Sequence, residues 1–171
     1  FEINAILDQL AGQCHNLIKF AFWSGLRTSE MIGLRWQDID FDNNRLYVRI
    51  AIVENEEKTT KTASGLRTLE LNQQTEEALK SQVHLTSCGP RVFNDPKTER
   101  PWANDQIIRK RVWMAALSRA DIKYRNPYQT RHTYASMMLS SGKNPLWVAQ
   151  QMGHKDWGMI RKIYGRWIPS D

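Results

Sequence analysis

The 171 residues carry 24 Lys+Arg against 18 Asp+Glu, for a net charge of +6, with 41% hydrophobic content and seven tryptophans. Such a chain is long and apolar enough to bury one domain-sized core without disulfide or metal support, and it holds neither an apolar run of membrane-spanning length nor a secretory pattern at its start. Cys14 and Cys88 lie far apart and outside any CxxC or Cys/His spacing, so they read as free thiols in a reducing compartment. The charge is unevenly placed: residues 1–85 hold 9 basic and 12 acidic residues (−3), and residues 86–171 hold 15 and 6 (+9). A basic half of this kind suits a polyanion, with a generally solvated surface as the plainer reading.

From Phe1 to Trp23 the apolar residues Ile6, Leu10, Cys14, Leu17, Ile18 and Phe22 recur at helical spacing, and Gly25 ends the helix. Thr28 or Ser29 then caps a short helix with Glu30 in its first turn, where a carboxylate favours the dipole. Arg27 stands just outside that N-terminus, where it does nothing for the dipole; taken alone it reads as a surface arginine. Residues Arg45 to Val53 alternate and are β-rich. Runs over Lys58–Thr62 and Leu66–Leu71 flank Ala63-Ser64-Gly65, which predicts a small three-stranded antiparallel sheet with a tight turn. Lys61, one residue before that turn, taken alone reads as a solvated edge charge.

Gln73 to Leu85 reads as a helix, Asn94 to Pro101 as a polar loop, and Asn104 or Asp105 starts a helix running to Ala120. Arg109, Lys110 and Arg111 form a basic cluster on it, either a solvated face or a patch that tracks a nucleic-acid backbone. The last quarter alternates helix and punctuation. A helix carries Arg131 and His132 and stops at Ser141-Gly142, Asn144-Pro145 starts another, and Gly153 breaks it before His154. Asp156 can cap a third helix that carries Tyr164. Arginine, histidine and tyrosine thus stand at three element ends. A guanidinium matches phosphate oxygens, a histidine can donate or move a proton near neutrality, and a tyrosine among cations is a possible nucleophile. Singly, Tyr164 would read as a core aromatic and His154 as a turn histidine; their conjunction points to a phosphate site.

With Arg131-His132-Thr133-Tyr134-Ala135-Ser136, Met152-Gly153-His154 and Tyr164 in this order, the chain resembles the tyrosine recombinases, or phage integrases. Gly25, Arg27, Glu30, Leu34 and Trp36 match that family's first catalytic block, and Lys61-Thr62 with Arg67-Thr68 match its hairpin motif. The resemblance implies an α+β, mainly helical catalytic-domain fold over residues 1–171, with core-binding and arm-binding domains absent from this chain. It implies that Tyr164 attacks a DNA phosphodiester to form a 3′-phosphotyrosyl intermediate. Arg27, Arg131 and His154 would stabilise the phosphate, Glu30 would support Arg27, and Lys61 would protonate the leaving 5′ oxygen, with Lys58 as the competing lysine. No cofactor or metal is implied.

One position departs from the pattern. The family commonly places His three residues before the second arginine, and here Tyr128 stands there. A phenol, with a pKa near ~10, can hold a phosphate oxygen but is a poor proton shuttle at neutral pH. Tyr128 is therefore expected to orient or bind phosphate. His132, adjacent to Arg131, is a tempting substitute for that histidine, but it falls elsewhere on the helix, the resemblance gives it a structural part, and it is left outside the core site. The implied partners are double-stranded DNA at specific attachment sites, further protomers in a synaptic tetramer, and accessory DNA-bending or directionality proteins, all in the bacterial cytoplasm. This chain by itself is expected to be monomeric and to bind DNA weakly. Two other readings are a helix-turn-helix binding module built on Arg131–Leu139 and Pro145–Gln151, and a type IB topoisomerase acting without synapsis.

Overall fold

The structure, a computed structural model, describes residues 2–59, 66–154 and 158–168. It has the expected mainly helical α+β architecture. The chain opens with α1 (Glu2–Leu7) and α2 (Gly12–Ser24), where apolar spacing predicts one helix. The break falls before Gly12, whose φ of +53° belongs to the left-handed region that glycine adopts without a Cβ penalty. Both pieces keep their apolar faces inward, with Ile6, Leu7, Leu17, Ile18 and Phe22 all buried. Gly25 ends α2 in the left-handed conformation, φ +65°. A Cβ there would lie 2.5 Å from the Tyr134 ring, so glycine also lets a later helix press onto this corner.

α3 (Thr28–Gly33) leads through a 3₁₀ turn at Trp36–Asp38 into β1 (Ile39–Asp40). The predicted strand over Arg45–Val53 divides at Arg49, which reaches back to the buried Asp38 at 2.9 Å. The result is β2 (Arg45–Val48) and β3 (Ile50–Val53), which belong to different sheets. β2 lies between β1 and β5 (Arg67–Glu70) in a three-stranded antiparallel sheet, with Leu46 opposite Leu69. β3 pairs with β4 (Glu56–Thr59) around Glu54-Asn55, whose φ values of 53° and 65° fit a two-residue hairpin loop. The sheet therefore takes β1 as its third strand, and Lys58 and Thr59 lie in a separate hairpin. Lys61 and the expected Ala63-Ser64-Gly65 turn lie outside the described residues.

α4 (Gln73–Thr86), capped by the Asn72 side chain on the Thr75 N–H at 3.0 Å, packs against α2. The region predicted as a polar loop contains a short hairpin, β6 (Asn94–Asp95) with β7 (Arg100–Pro101). The helix predicted from Asn104 is present but widened in its middle: α5 (Asp105–Ile108), a π-helical turn over Arg109–Trp113, and α6 (Met114–Arg119).

Three helices close the fold: α7 (Gln129–Ser140), α8 (Pro145–Met152) and α9 (Gly158–Tyr164), followed by a 3₁₀ turn at Gly165–Trp167. Asn144 caps α8 through the Leu146 N–H at 2.8 Å, with proline in its first turn as expected. Side chains from α1 to α6 and the three-stranded sheet make one core, while Tyr134, Leu139, Val148, Met152, Ile160 and Tyr164 make a second. Of the residues singled out from the sequence, Arg27, Glu30, Tyr128, Arg131, His154 and Tyr164 gather near the seam between these two cores. Among the described residues no helix is long and apolar enough to cross a membrane.

Candidate active site

The site is built on a buried carboxylate. Glu30 is 3% exposed, and one of its oxygens accepts the Arg27 backbone N–H at 2.9 Å while the other accepts Arg27 Nη1 at 3.1 Å. The first contact closes the N-terminus of α3 by reaching back from its third position, and the second holds the Arg27 side chain at the surface of the seam. Glu30 therefore meets Arg27 through both its main chain and its side chain. Its larger partner comes from the matched hairpin motif. Arg67 on β5 grips both Glu30 oxygens at 2.9 Å and donates from Nε to the Gln151 carbonyl, also at 2.9 Å. Burial alone would raise the Glu30 pKa. The Arg67 hydrogen bonds and charge, joined by Arg27, outweigh it and hold the carboxyl below its usual range.

Arg131 stands deeper, at 1% exposure. Its guanidinium donates to the Gly25 carbonyl at the end of α2 and to the Met152 carbonyl at the end of α8, so one side chain ties the two cores together. Nε donates to the Tyr128 hydroxyl at 3.2 Å. Burial first, and the like charge of Arg27 second, lower the Arg131 pKa, while Tyr128 and Glu30 oppose them. An arginine remains charged even so. Nη2 also lies 3.2 Å from His154 Nε2. A guanidinium has no acceptor, so this hydrogen bond requires His154 to accept at Nε2 and carry its proton on Nδ1.

Tyr164 is 4% exposed and reaches the site from α9. Its hydroxyl is in hydrogen-bond contact with Nδ1 of His132. His132 lies between two phenols, with the Tyr128 ring edge-on at 5.1 Å and the Tyr164 ring at 5.6 Å. Burial, reinforced by Tyr128 and opposed by Arg131, pushes the Tyr164 phenol up to about 12. Burial and the Arg131 charge push His132 down. Both groups are therefore neutral near pH 7.

Arg27 and Glu30 form one contacting group and Tyr128, Arg131 and His154 another, with the charges of Arg27 and Glu30 felt at Arg131, and Tyr164 reaches Tyr128 through His132. His132, left outside on helical phase, belongs to this constellation, because α9 packs on the side of α7 to which one further residue rotates. The basic cluster at the π turn divides. Arg109 lines the same groove as Arg27 and Tyr128. Arg111 instead pairs with Asp95 at 2.6 and 3.0 Å and lies over the Trp102 ring.

This fold is that of a tyrosine recombinase catalytic domain. The chain belongs to the phage integrase family, which it matches over residues 1–167. It is 37% identical to the prophage integrase IntR of Escherichia coli K12, an alignment covering 98% of this chain and 46% of that protein. Among solved structures, the Tn1549 transposon integrase in complex with circular intermediate DNA aligns with a TM-score of 0.75 at 19% identity, over 99% of this chain and 61% of that one. The catalytic domain of bacteriophage HP1 integrase aligns with a TM-score of 0.64 at 19% identity, over 99% and 86%. The chain spans about half the length of the curated relatives it matches.

Proposed function

We propose that this chain is the catalytic part of a site-specific DNA recombinase that breaks and rejoins strands through a 3′-phosphotyrosyl intermediate on Tyr164. The observation that carries this reading is the charge balance of the site. Two guanidinium groups, Arg27 and Arg67, contact the Glu30 carboxylate, and a third, Arg131, lies within its electrostatic reach. Arg67 and Glu30 balance one another, which leaves the charges of Arg27 and Arg131 for an anion, with His154 in contact with Arg131. A phosphodiester seated there places its non-bridging oxygens against fixed donors, and its negative charge grows as a fifth ligand arrives. Donors set before the reaction stabilise that state, and removing one such donor costs about 10²–10³ in rate.

Tyr164 attacks phosphorus through its phenolic oxygen, and the P–O5′ bond breaks. The leaving 5′ oxygen takes a proton from Lys61, the residue assigned this task by its motif. Attack by a 5′-hydroxyl from a second strand reverses the step and conserves the bond, so no nucleotide cofactor is consumed. Tyr128, hydrogen-bonded to Arg131, orients that arginine and lines the groove beside Arg27. Double-stranded DNA at attachment sites is the substrate, and further protomers complete the synapse in the whole protein. The helix-turn-helix reading leaves Arg27, Lys61 and Tyr164 without a task, and in it Tyr164→Phe would be silent.

The test is covalent trapping on nicked duplexes carrying family-like core sites, in low salt with EDTA. Wild type is expected to give a denaturant-stable protein–DNA band, and Tyr164→Phe none. Equal bands from both proteins, or binding without any band, would overturn the assignment.

A further inference from the structure

The proposed reaction leaves one proton without an acceptor. Tyr164 has to lose its phenolic hydrogen as it attacks, and Tyr128, which stands where the family's histidine usually does, is too weak a base to take it near neutral pH. The side chain that touches the reacting oxygen is His132. From this contact we propose that His132 is a catalytic base in this protein: it accepts the Tyr164 proton at Nδ1 during cleavage and returns it on rejoining. This rests on the phosphotyrosyl reading above.

The geometry gives the contact a direction. A phenol is a far stronger proton donor than a neutral imidazole N–H, so the favoured arrangement is Tyr164 O–H donating to a bare Nδ1, with the histidine proton on Nε2. Burial and the nearby Arg131 charge favour neutral His132, the form that can accept. Among the described residues, the ionisable groups around it are Tyr128 and Arg131 at the start of its own helix, Tyr164 from α9, and Arg166, which lines the same groove from the turn after α9. In the cleavage step the Tyr164 O–H bond breaks, its proton goes to His132 Nδ1, the O–P bond forms, and the P–O5′ bond breaks with protonation of the 5′ oxygen. In rejoining, the 5′-hydroxyl attacks and its proton returns to the group that protonated the leaving oxygen, the P–O bond to Tyr164 breaks, and the imidazolium returns its proton to the phenolate. Burial and the Arg131 charge make the imidazolium costly, which favours that return.

His132→Asn distinguishes proton transfer from support, because the Asn carbonyl oxygen can occupy the Nδ1 position and accept the hydrogen bond yet cannot take up a proton. Single-turnover cleavage of a nicked duplex is measured between pH 5 and 9. Wild type is expected to show a rate that climbs with pH and levels off below neutrality. The variant is expected to be slower by about 10²–10⁴ without that rise, and free imidazole should partly restore His132→Ala. Separately, nitrogen NMR of the wild-type imidazoles should find His132 as the Nε2–H tautomer. Undiminished cleavage by His132→Asn with wild-type cleavage intact, or an Nδ1–H tautomer, would overturn the role of His132 alone. No Tyr164 adduct from wild type would overturn the phosphotyrosyl reading and this inference together.

Discussion

Gly153 lies against the guanidinium of Arg67: a Cβ at position 153 would fall 2.7 Å from Nη1 and 2.8 Å from Cζ. The backbone there is also left-handed, at φ +68°. Arg67 cannot swing aside freely, because Glu30 and the Gln151 carbonyl hold it on three sides. The glycine of Met152-Gly153-His154 is therefore a consequence of an arginine 86 positions earlier. Gly153→Ala is expected to lower stability by about 1–3 kcal/mol, through left-handed strain and displacement of Arg67. Urea denaturation measures it, and an unchanged midpoint would refute the packing argument.

Glu30 is the buried anion that two arginines share. Replacing it by the near-isosteric glutamine leaves Arg67 buried without its counter-charge, and breaking a buried pair costs about 3–5 kcal/mol. The pH dependence has a definite sign. Because the folded carboxyl titrates below its ordinary value of 4.5, its contribution is fully present above that value. It is lost as pH falls below 4.5 through the lower folded pKa. Acid unfolding followed by circular dichroism should show a loss in wild type that Glu30→Gln lacks over the same interval.

How far the sequence reaches is visible in these residues. Glu30 and Gly25 are legible because their relations are local, a first-turn carboxylate and a glycine that ends a helix, although the helix is capped at Arg27 and not at Thr28 or Ser29. The order Asn144-Pro145 and then Gly153 marks α8 for the same reason. Arg67 on Glu30 was not legible as a contact, since it spans 37 residues and two elements. The His132 contact with Tyr164 depends on how α9 packs against α7, which helical phase alone does not specify. The strand break at Arg49 likewise follows from its reach to Asp38 and not from the alternating pattern around it.

The two arginines of the π turn should separate by experiment. Arg109 lines the groove beside Arg27, whereas Arg111 is engaged with Asp95 and Trp102. Arg109→Ala is expected to weaken DNA binding and to flatten its salt dependence by about one phosphate contact. Arg111→Ala should lower the melting temperature and leave the salt slope unchanged. Fluorescence anisotropy over a salt series, with thermal melts, decides between this division and a single uniform basic patch.

Tyr164 should ionise late. Its phenol is pushed up to about 12 by burial, from the ordinary 10.0. Ultraviolet titration of wild type minus Tyr164→Phe isolates it, and ionisation near the ordinary value would contradict the buried placement. The sign for stability follows. The folded state holds this proton longer than the unfolded chain does, so stability falls as pH rises between 10 and about 12.

The most direct measurement is the chemical identity of the trapped adduct. Nicked duplexes labelled at one strand end or the other are cleaved by wild type, the covalent product is digested, and the nucleotide-bearing peptide is sequenced by mass spectrometry. The expected result is a single modified peptide with the nucleotide on Tyr164, joined through its 3′ phosphate, and a free 5′-hydroxyl on the released strand. A 5′-linked nucleotide, or attachment to any other residue, would contradict the central claim.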